Sequence, residues 1–286
     1  MRSILCFGEA LWDCLPEGRF IGGAPLNVAF HLNQLGAMAY PVTAVGRDGL
    51  GHELVTQLKH WGIDTRFVAW HPALPTGTVT VQLDANRNAH YTINEGVAWD
   101  DIPVTPELLE AATEADAIIY GTLAQRTAHN RHQLSLLLEK AAGAFKVCDV
   151  NLRPPYDTAE RVWELIREAD LVKLNDTEIV KLMDETSGHH TLEALARLMA
   201  EETGAKAVCV TAGAQGAGLL YALEWYWVDA HPVRVVDTVG AGDAFLAALV
   251  ESLLEPDAAP WECLHRACRL GEFVASQRGA TPKHPQ

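Results

Sequence analysis

The stretch DTVGAGDAF, residues 237–245, is the part of this chain that says most about its fold. It follows an apolar run, HPVRVV (231–236), that predicts a strand, and it precedes a run typical of a helix. Small residues therefore stand at the predicted first helical turn: Gly240, Ala241 and Gly242. Small residues let consecutive backbone N–H groups converge on an anion, and the positive end of the helix dipole reinforces them. The stretch predicts an anion site at a helix N-terminus.

Asp243 is an unexpected residue for such a site, because a carboxylate repels phosphate. It makes chemical sense if the anion is a phosphoryl group in transfer and the carboxylate takes the proton from the attacking hydroxyl. The alternative is that Asp243 only caps its helix. The spacing of the residues leaves both interpretations open.

Composition limits the class of protein. The chain has 286 residues, 49% of them hydrophobic, and a formal net charge of −15 at pH 7. That length predicts one α/β domain with a small appendage, and the acidic balance argues against nucleic acid as a partner. The six cysteines lack the paired spacing of a zinc site, and most lie inside apolar runs, which is typical of small buried residues in a reducing compartment. No run has the length of a signal or membrane segment, so we expect a cytoplasmic protein with no membrane partner.

Short apolar runs alternate with amphipathic segments along most of the chain. Predicted helices, such as 24–36 and 50–61, separate the apolar runs. This order predicts the α/β class, with a mainly parallel sheet covered by helices on both faces. The runs that predict strands are SILCFGEAL (3–11), YPVTAVG (40–46), DAIIYG (116–121), FKVCDVN (145–151), DLVKLN (170–175) and KAVCVT (206–211).

Two stretches depart from this alternation. Residues 77–98 contain two alternating runs around the polar turn DANRN (84–88), which is typical of a β-hairpin with one exposed face. Residues 12–21 are a second candidate. We expect the two to form a small β-sheet lid over the main sheet. If one face of the lid is apolar, it would pair with that of a second subunit in a homodimer.

Polar residues cluster where the predicted strands end, and ligands of open parallel sheets bind beyond the carboxyl ends of the strands. Taken singly, an Asp or Asn is as well explained by a helix cap and a Gly by a turn. The chain has no G-x-x-x-x-G-K-[ST], and no G-x-G-x-x-G after its first strand, which argues against a P-loop nucleotidase and a dinucleotide dehydrogenase. The clustered residues are Glu9, Asp13, Asn27, Asp149, Asn151, Arg153, Asn175, Glu178, Thr211, Gly213 and Gly216.

Four motifs, matched nearly end to end along the chain, resemble those of the pfkB (ribokinase-like) carbohydrate kinase family. Residues 22–54 (GGAPLNVAFHLNQLGAMAYPVTAVGRDGLGHEL) are similar to its N-terminal signature and 237–249 (DTVGAGDAFLAAL) to its C-terminal one. NDTE (175–178) resembles the N-x-x-E motif, and VTAGAQGA (210–217) the T-x-G-x-x-G strand. The resemblance implies a ribokinase-like fold and transfer of the γ-phosphoryl group of ATP to a primary hydroxyl of a sugar.

The resemblance also implies roles at the transfer point and around the sugar. Asp243 would be the general base on the primary hydroxyl, and the backbone of residues 240–242 would form the anion hole. Closure of the lid would exclude water, which competes with the sugar as acceptor. Arg153 would orient a hydroxyl or a phosphate, or form a structural ion pair with Asp149. The implied sugar contacts are Asp13, Gly23, Asn27, Tyr91 and Arg153.

On the ATP side, the resemblance implies that Asn175 and Glu178 hold Mg²⁺ largely through water, which suits an ion that keeps several of its waters. Asn175 would also contact ATP, whose phosphate and ribose end would be lined by Thr211, Gly213 and Gly216. Many family members bind K⁺ as well, and the nearest matches to that site are Asp237, Val239, Ala275 and Gly279. Val239 stands where the family's signature usually has Thr or Ser, and we expect little effect because the role is a backbone one.

The segments GEALWD, GGAPLNVA, DVNLR and YTINEGVAWD resemble those of fructokinases. A sugar phosphate would need several converging cations, and the sugar-side segments carry Arg19, Arg87 and Arg153, so a free sugar is favoured. We therefore expect fructose. Ribose, 2-keto-3-deoxygluconate and nucleosides remain alternatives, because one rearranged hydroxyl contact changes specificity modestly. The rival from another class is a non-catalytic sugar or nucleoside sensor, against which the intact Asp243, Asn175 and Glu178 argue.

Overall fold

A computed structural model describes residues 1–15, 18–83, 89–184 and 190–285. These ranges form an α/β structure with a nine-stranded sheet, helices on both of its faces and a separate four-stranded sheet. The predicted fold class is therefore confirmed. Within these ranges, no helix is both long enough and apolar enough to span a membrane.

The strands and helices are numbered along the chain. The strands are β1 (Ser3–Phe7), β2 (Leu11–Leu15), β3 (Gly18–Gly22), β4 (Met38–Gly46), β5 (Val68–His71), β6 (Gly77–Leu83), β7 (Ala89–Ile93), β8 (Ala117–Gly121), β9 (Phe145–Asp149), β10 (Leu171–Asn175), β11 (Ala207–Thr211), β12 (Gly216–Tyr221) and β13 (Glu224–Asp229). The helices are α1 (Ala24–Gln34), α2 (Gly49–His60), α3 (Pro106–Thr113), α4 (Ala128–Lys140), α5 (Ala159–Ile166), α6 (Asp176–Leu182), α7 (Leu192–Thr203), α8 (Ala241–Leu253) and α9 (Pro260–Ala275).

The large sheet has the order β13-β12-β11-β10-β9-β8-β1-β4-β5. The pairings from β11 through β5 are parallel, whereas β12 and β13 are added antiparallel at one edge. Strand β1 shows why the parallel strands are apolar throughout. Leu5 and Phe7 pack into the core on one face, and Ile4 and Cys6 into the core on the other. A strand covered on both faces needs apolar residues at consecutive positions.

The helices divide between the two faces. Residues of α3, α4, α5, α6 and α7 join the core that contains Leu5, whereas α1, α8 and α9 cover the opposite face. Helix α2 packs against α1 through Leu54 and Leu58, which lie in a third cluster with Leu26 and Phe30. Because α1 and α8 share a face, their first turns are close enough for their side chains to hydrogen-bond.

The four-stranded sheet has the order β3-β2-β6-β7, in which β2 and β6 are parallel and the other pairs antiparallel. This confirms the small sheet predicted from residues 12–21 and 77–98, although residues 94–98 lie beyond its last strand. The predicted turn at 84–88, with Arg87, is outside the described residues. The lid function and the homodimer stay predictions.

The predicted strand at 231–236 is wrong. These residues form no regular element. Their backbone donates to α9, from His231 N to the Glu272 carboxylate at 2.7 Å and from Val236 N to Ala275 O at 2.9 Å. The valines that suggested a strand are exposed: 39% for Val233, 60% for Val235 and 49% for Val236. An apolar run forms a strand only where a neighbouring strand pairs with it. Here the preceding strand, β13, ends before the run begins.

A buried ion pair fastens the end of the small sheet to the large one. Arg126, in the turn after β8, donates to both carboxylate oxygens of Asp100 at 2.7 and 2.9 Å, and to Asn94 O just beyond β7. Its guanidinium lies over the rings of Trp99 and Tyr156, and the Tyr156 hydroxyl donates to Ile93 O. These contacts fix where β7 leaves the small sheet.

Replacing Arg126 with Met is expected to lower the free energy of unfolding by about 3–5 kcal/mol, because it leaves the Asp100 carboxylate buried without its partner. The matched control is Arg66→Met, which removes an exposed pair with Asp64 and is expected to cost less than about 1 kcal/mol. Urea unfolding of both variants measures the difference. Equal losses in the two variants would contradict the structural importance of the Arg126 cluster.

Candidate active site

Three adjacent strands end together at the carboxyl edge of the large sheet. Asn175 at the end of β10 lies beside Thr211 at the end of β11, and Lys173 on β10 lies beside Asp149 at the end of β9. The N-terminus of α8 faces the same edge, because a Cβ atom at Gly242 would lie 3.2 Å from Lys173 Nζ. The edge therefore brings together the predicted anion hole and the polar ends of the strands, as expected for an open α/β sheet.

The first turn of α8 depends on Gly240. This residue has φ = 77°, in the left-handed region, and a Cβ there would lie 2.5 Å from Ala280 Cα. Both the backbone conformation and the close approach thus require glycine. No side chain caps the helix, and the carboxylate of Asp243 instead accepts a hydrogen bond from Asn27 Nδ2 at 2.8 Å. The interpretation of Asp243 as a simple cap does not fit this geometry.

Asp243 is buried among other charges, and its pKa is raised from 3.8 to about 6. Burial is the largest cause, and the nearby carboxylates of Asp149 and Glu9 raise the pKa further. The hydrogen bond from Asn27 and the ammonium group of Lys173 act in the opposite direction. A carboxylate with this pKa is ionised at neutral pH and still accepts a proton readily, which suits a general base.

Three buried oxygens around Asp243 have no hydrogen-bond partner within the described part of the chain: Glu9 Oε2, Asn27 Oδ1 and Asp149 Oδ2. The other oxygen of Glu9 accepts from Ala24 N, at the first residue of α1. Gly23 just before it has φ = 115°, and a Cβ there would collide with the carbonyl oxygen of Glu9. Buried acceptors without donors are costly, so the arrangement favours a ligand rich in hydroxyl donors.

The remaining predicted sugar contacts differ in how well the structure supports them. Asp13 on β2 is half-buried. Burial raises its pKa above the ordinary value, and the charge of Arg153 offsets part of that rise. Arg153 is exposed and donates to Leu152 O, while the ion pair of Asp149 is with Lys173, at 2.9 Å. The alternative of an Asp149–Arg153 pair is therefore wrong. The side chain of Tyr91 lies outside the described part of the structure.

Asn175 and Glu178 hold each other at the start of α6. Asn175 Oδ1 accepts from Glu178 N, and Glu178 Oε2 accepts from Asn175 N, both at 2.8 Å. Glu178 Oε1 accepts from Leu152 N, so both carboxylate oxygens already have backbone donors. Among the described residues, no group of three or more His, Cys, Asp and Glu is arranged to hold a metal. This donor set fits Mg²⁺ that keeps its waters and is anchored by the phosphates of ATP.

The loop after β11 brings Gly213 and Gly216 close to Thr211. Gly213 has φ = 51° and Gly216 has φ = 129°, and a bond from Ala212 N to Gly216 O closes the loop. A Cβ at Gly216 would collide with Val228 O on β13. These glycines are explained by the tight turn between β11 and β12, and the turn lies beside Asn175. Their contact with ATP remains a prediction.

The four residues matched to a K⁺ site also lie together. Asp237 accepts from Val239 N and Gly279 N, one on each carboxylate oxygen and both at 3.1 Å. The carbonyl oxygen of Ala275 accepts from the N–H groups of Val236 and Asp237. Because these oxygens already have donors, they do not form an open cage for K⁺ in this conformation.

Lys173 is the residue of this edge that the sequence analysis overlooked. Its side chain is 8% exposed, and it forms the ion pair with Asp149 described above. The signal was present in DLVKLN, where a lysine interrupts an apolar strand that ends at the predicted site. A charged residue at such a position needs a partner, since an unpaired buried ammonium is costly.

Comparison with known proteins identifies the family. The model of the pfkB family carbohydrate kinases matches residues 4–286, so this chain belongs to that family. It is 28% identical to fructokinase-2 of Solanum lycopersicum over 308 aligned residues, which cover 99% of this chain and 93% of that protein. It is 27% identical to probable fructokinase-3 of Arabidopsis thaliana, covering 99% and 88% of the two chains.

Solved structures agree with the fold. Fructokinase with bound ATP from Xylella fastidiosa superposes with a TM-score of 0.83 at 24% identity, covering 99% of this chain and 95% of that one. A fructokinase double mutant from Vibrio cholerae, with fructose, ADP and potassium bound, gives a TM-score of 0.83 at 22% identity, covering 98% and 94%. The protein thus has a ribokinase-like fold and is a carbohydrate kinase of the pfkB family.

Replacing Asp243 with Asn is expected to raise the free energy of unfolding at pH 8 by about 1–3 kcal/mol, since one pKa unit corresponds to about 1.4 kcal/mol. The pKa of Asp243 is raised in the native state, so the wild type loses stability as the pH rises from about 4 through about 6. Asn stays neutral and escapes this loss.

Urea unfolding at pH 4 and pH 8 tests this expectation. The exposed Asp257→Asn serves as the control and should change little at either pH. A stability gain that is the same at both pH values, or a loss at pH 8, would contradict the raised pKa.

Proposed function

We propose that this carbohydrate kinase is a fructokinase, which transfers the γ-phosphoryl group of ATP to the primary hydroxyl of free fructose and releases fructose 6-phosphate and ADP. The observation that carries the proposal is the buried Asp243 carboxylate at the open first turn of α8, held by Asn27. A proton acceptor and an anion-binding helix N-terminus within one turn are the two groups that this transfer needs.

In the proposed reaction, the carboxylate of Asp243 accepts the proton of the sugar hydroxyl as the hydroxyl oxygen attacks phosphorus. The hydrogen bond from Asn27 Nδ2 fixes one carboxylate oxygen, and the other oxygen would face the hydroxyl. The backbone N–H groups of residues 240–242 receive the transferred phosphoryl oxygens, whose negative charge the helix dipole stabilises. We infer that activity falls as the pH decreases through about 6, where Asp243 becomes protonated.

The ATP phosphates would approach from the β10 and β11 side, where Asn175 and Thr211 lie side by side. Mg²⁺, when bound, would neutralise charge on these phosphates. Asn175 and Glu178 would orient its waters, and the hydrogen bonds between these two residues hold them ready for that task. Gly213 and Gly216 would leave room for the phosphate and ribose end of the nucleotide.

Charge supports a free sugar over a sugar phosphate. The sugar side presents carboxylates at Asp13 and Glu9. The three unpartnered acceptors, one of which is Glu9 Oε2, likewise favour hydroxyl donors. Arg19 is exposed and paired with Glu53, so it adds no free positive charge. The names of the curated relatives and of the two solved structures, which are fructokinases, favour fructose among free sugars.

Ribose, 2-keto-3-deoxygluconate and nucleosides are the alternatives on the same mechanism. A sugar acid would need a cation for its carboxylate, and Arg153 is the exposed cation whose charge reaches Asp13 and Glu9.

We propose that Arg153 orients a hydroxyl, that Tyr91 packs on the sugar, and that the small sheet closes as a lid. A homodimer would form through that sheet.

The experiment is ADP release with Mg-ATP against fructose, ribose, glucose, 2-keto-3-deoxygluconate, adenosine and fructose 6-phosphate, with and without K⁺. We expect turnover with fructose and a loss of about 10³-fold or more in Asp243→Asn, because the general base and its charge are both removed. The product is identified as fructose 6-phosphate by a coupled isomerase assay.

Each outcome assigns the protein to one class. Turnover with another acceptor would keep the mechanism and overturn fructose. Binding of a sugar without ADP release, in protein that binds Mg-ATP, would favour the sensor. Asp257→Asn is the control, because this carboxylate is exposed and follows the C-terminus of α8, at the opposite end of that helix from the site.

A further inference from the structure

We propose that Lys173 contacts the transferred phosphoryl group and stabilises its charge during transfer, an inference that rests on the proposed function. Lys173 projects from β10 two residues before Asn175, and its side chain is 8% exposed. Its ammonium group stands against the first turn of α8, where a Cβ at Gly242 would lie only 3.2 Å from Nζ. The ammonium and the proposed anion hole are therefore neighbours.

The partners of Lys173 leave it suited to this role. An ammonium has three N–H donors, and Asp149 Oδ1 accepts one of them at 2.9 Å. That bond aims Nζ towards α8 and fixes its position. Within the described residues, Nζ has no second acceptor, and its two other donors are available for phosphoryl oxygens, which carry the charge that develops in the transition state.

The balance of charge at the edge also calls for a cation. Asp149, Glu178, Asp243 and Glu9 are all buried carboxylates, and the polyphosphate of ATP adds further negative charge. Backbone N–H groups supply only partial charges. Lys173 supplies a full positive charge in a buried place, where electrostatic interactions are screened less than in water.

The same geometry accounts for the small residue at position 242. A methyl group there would lie 3.2 Å from Nζ, a separation tighter than most contacts of real Cβ atoms. Glycine leaves the space between the ammonium and the backbone N–H groups open. Lys173 therefore forms one half of the proposed phosphoryl site, and the α8 backbone, which includes Gly242, forms the other.

The step conserves atoms and charge. The bond between the γ-phosphorus and the β,γ-bridging oxygen breaks as the bond from the sugar oxygen to the γ-phosphorus forms. The hydroxyl proton passes to Asp243, and ADP leaves with the electron pair of the broken bond. Lys173 neither gains nor loses a proton and acts through its charge and its hydrogen bonds.

The first test is Lys173→Met, which keeps the length of the side chain and removes its charge. We expect kcat to fall by about 100-fold or more, by analogy with the loss of one transition-state donor, and to fall by a larger factor than KM for ATP rises. Binding of Mg-ADP with aluminium fluoride, a mimic of the phosphoryl group in transfer, is expected to weaken more than binding of Mg-ADP alone. Lys206→Met is the control, because this lysine is 72% exposed and pairs with Asp170.

A second variant separates contact with the phosphoryl group from a structural role. If Lys173 only neutralises Asp149, the double variant Lys173→Met/Asp149→Asn removes the unpaired charge and should recover the rate of Asp149→Asn. If Lys173 contacts the phosphoryl group, the double variant stays at least about 10-fold slower than Asp149→Asn. The double variant also carries the test if the single one does not fold, because it leaves neither member of the Lys173–Asp149 pair as an unpaired buried charge.

The outcomes distinguish the two proposals. A wild-type protein that phosphorylates no sugar in the panel overturns the proposed function. An active wild type with Lys173→Met within about threefold of it, or a double variant as fast as Asp149→Asn, overturns the role of Lys173 and leaves the proposed function standing.

Discussion

The hydrogen bond from Asn27 Nδ2 to Asp243 Oδ2 joins the first turns of α1 and α8, two helices that are separated by more than 200 residues and lie on the same face of the sheet. It can form only if both helices begin at the carboxyl edge of the parallel strands. Gly23 and Gly240, each in a left-handed or otherwise restricted backbone conformation, allow the chain to enter the two helices there. This one buried hydrogen bond thus depends on the strand order, on the two glycines and on the packing of the helices.

The polar and charged residues around that contact lower the stability of the fold. Burial and neighbouring carboxylates raise the pKa of Asp243, and three polar oxygens nearby have no partner among the described residues. A fold selected for stability alone would replace such groups with apolar ones of similar shape. Their presence is explained if a ligand with hydroxyl donors and a phosphoryl group completes the set. The positive charge of Lys173 offsets part of the negative charge around Asp243.

Much of the fold follows from local patterns in the sequence. Six of the apolar runs became parallel strands because continuous apolar sequence is what a strand buried on both faces requires. The run at 231–236 failed because its valines are exposed and no strand pairs with it, which is a matter of tertiary neighbours and not of local preference. The same limit applies to the Arg126–Asp100 pair, whose members were not expected to meet.

The site was predictable in its members and less so in its pairings. The structure joins Asn27 to Asp243 and Asn175 to Glu178 by hydrogen bonds, at the sheet edge where the motifs predicted them. The partner of Asp149 was not predictable, because the choice between Arg153 and Lys173 depends on strand register, and β10 pairs Lys173 with Asp149 directly.

The central claim is that phosphoryl transfer takes place at the first turn of α8, and a crystal structure with fructose, Mg-ADP and aluminium fluoride tests it most directly. The account predicts the fluoroaluminate against the N–H groups of residues 240–242, with an Asp243 oxygen within hydrogen-bond distance of the primary hydroxyl. A fluoroaluminate bound elsewhere, or a primary hydroxyl directed away from Asp243, would contradict it.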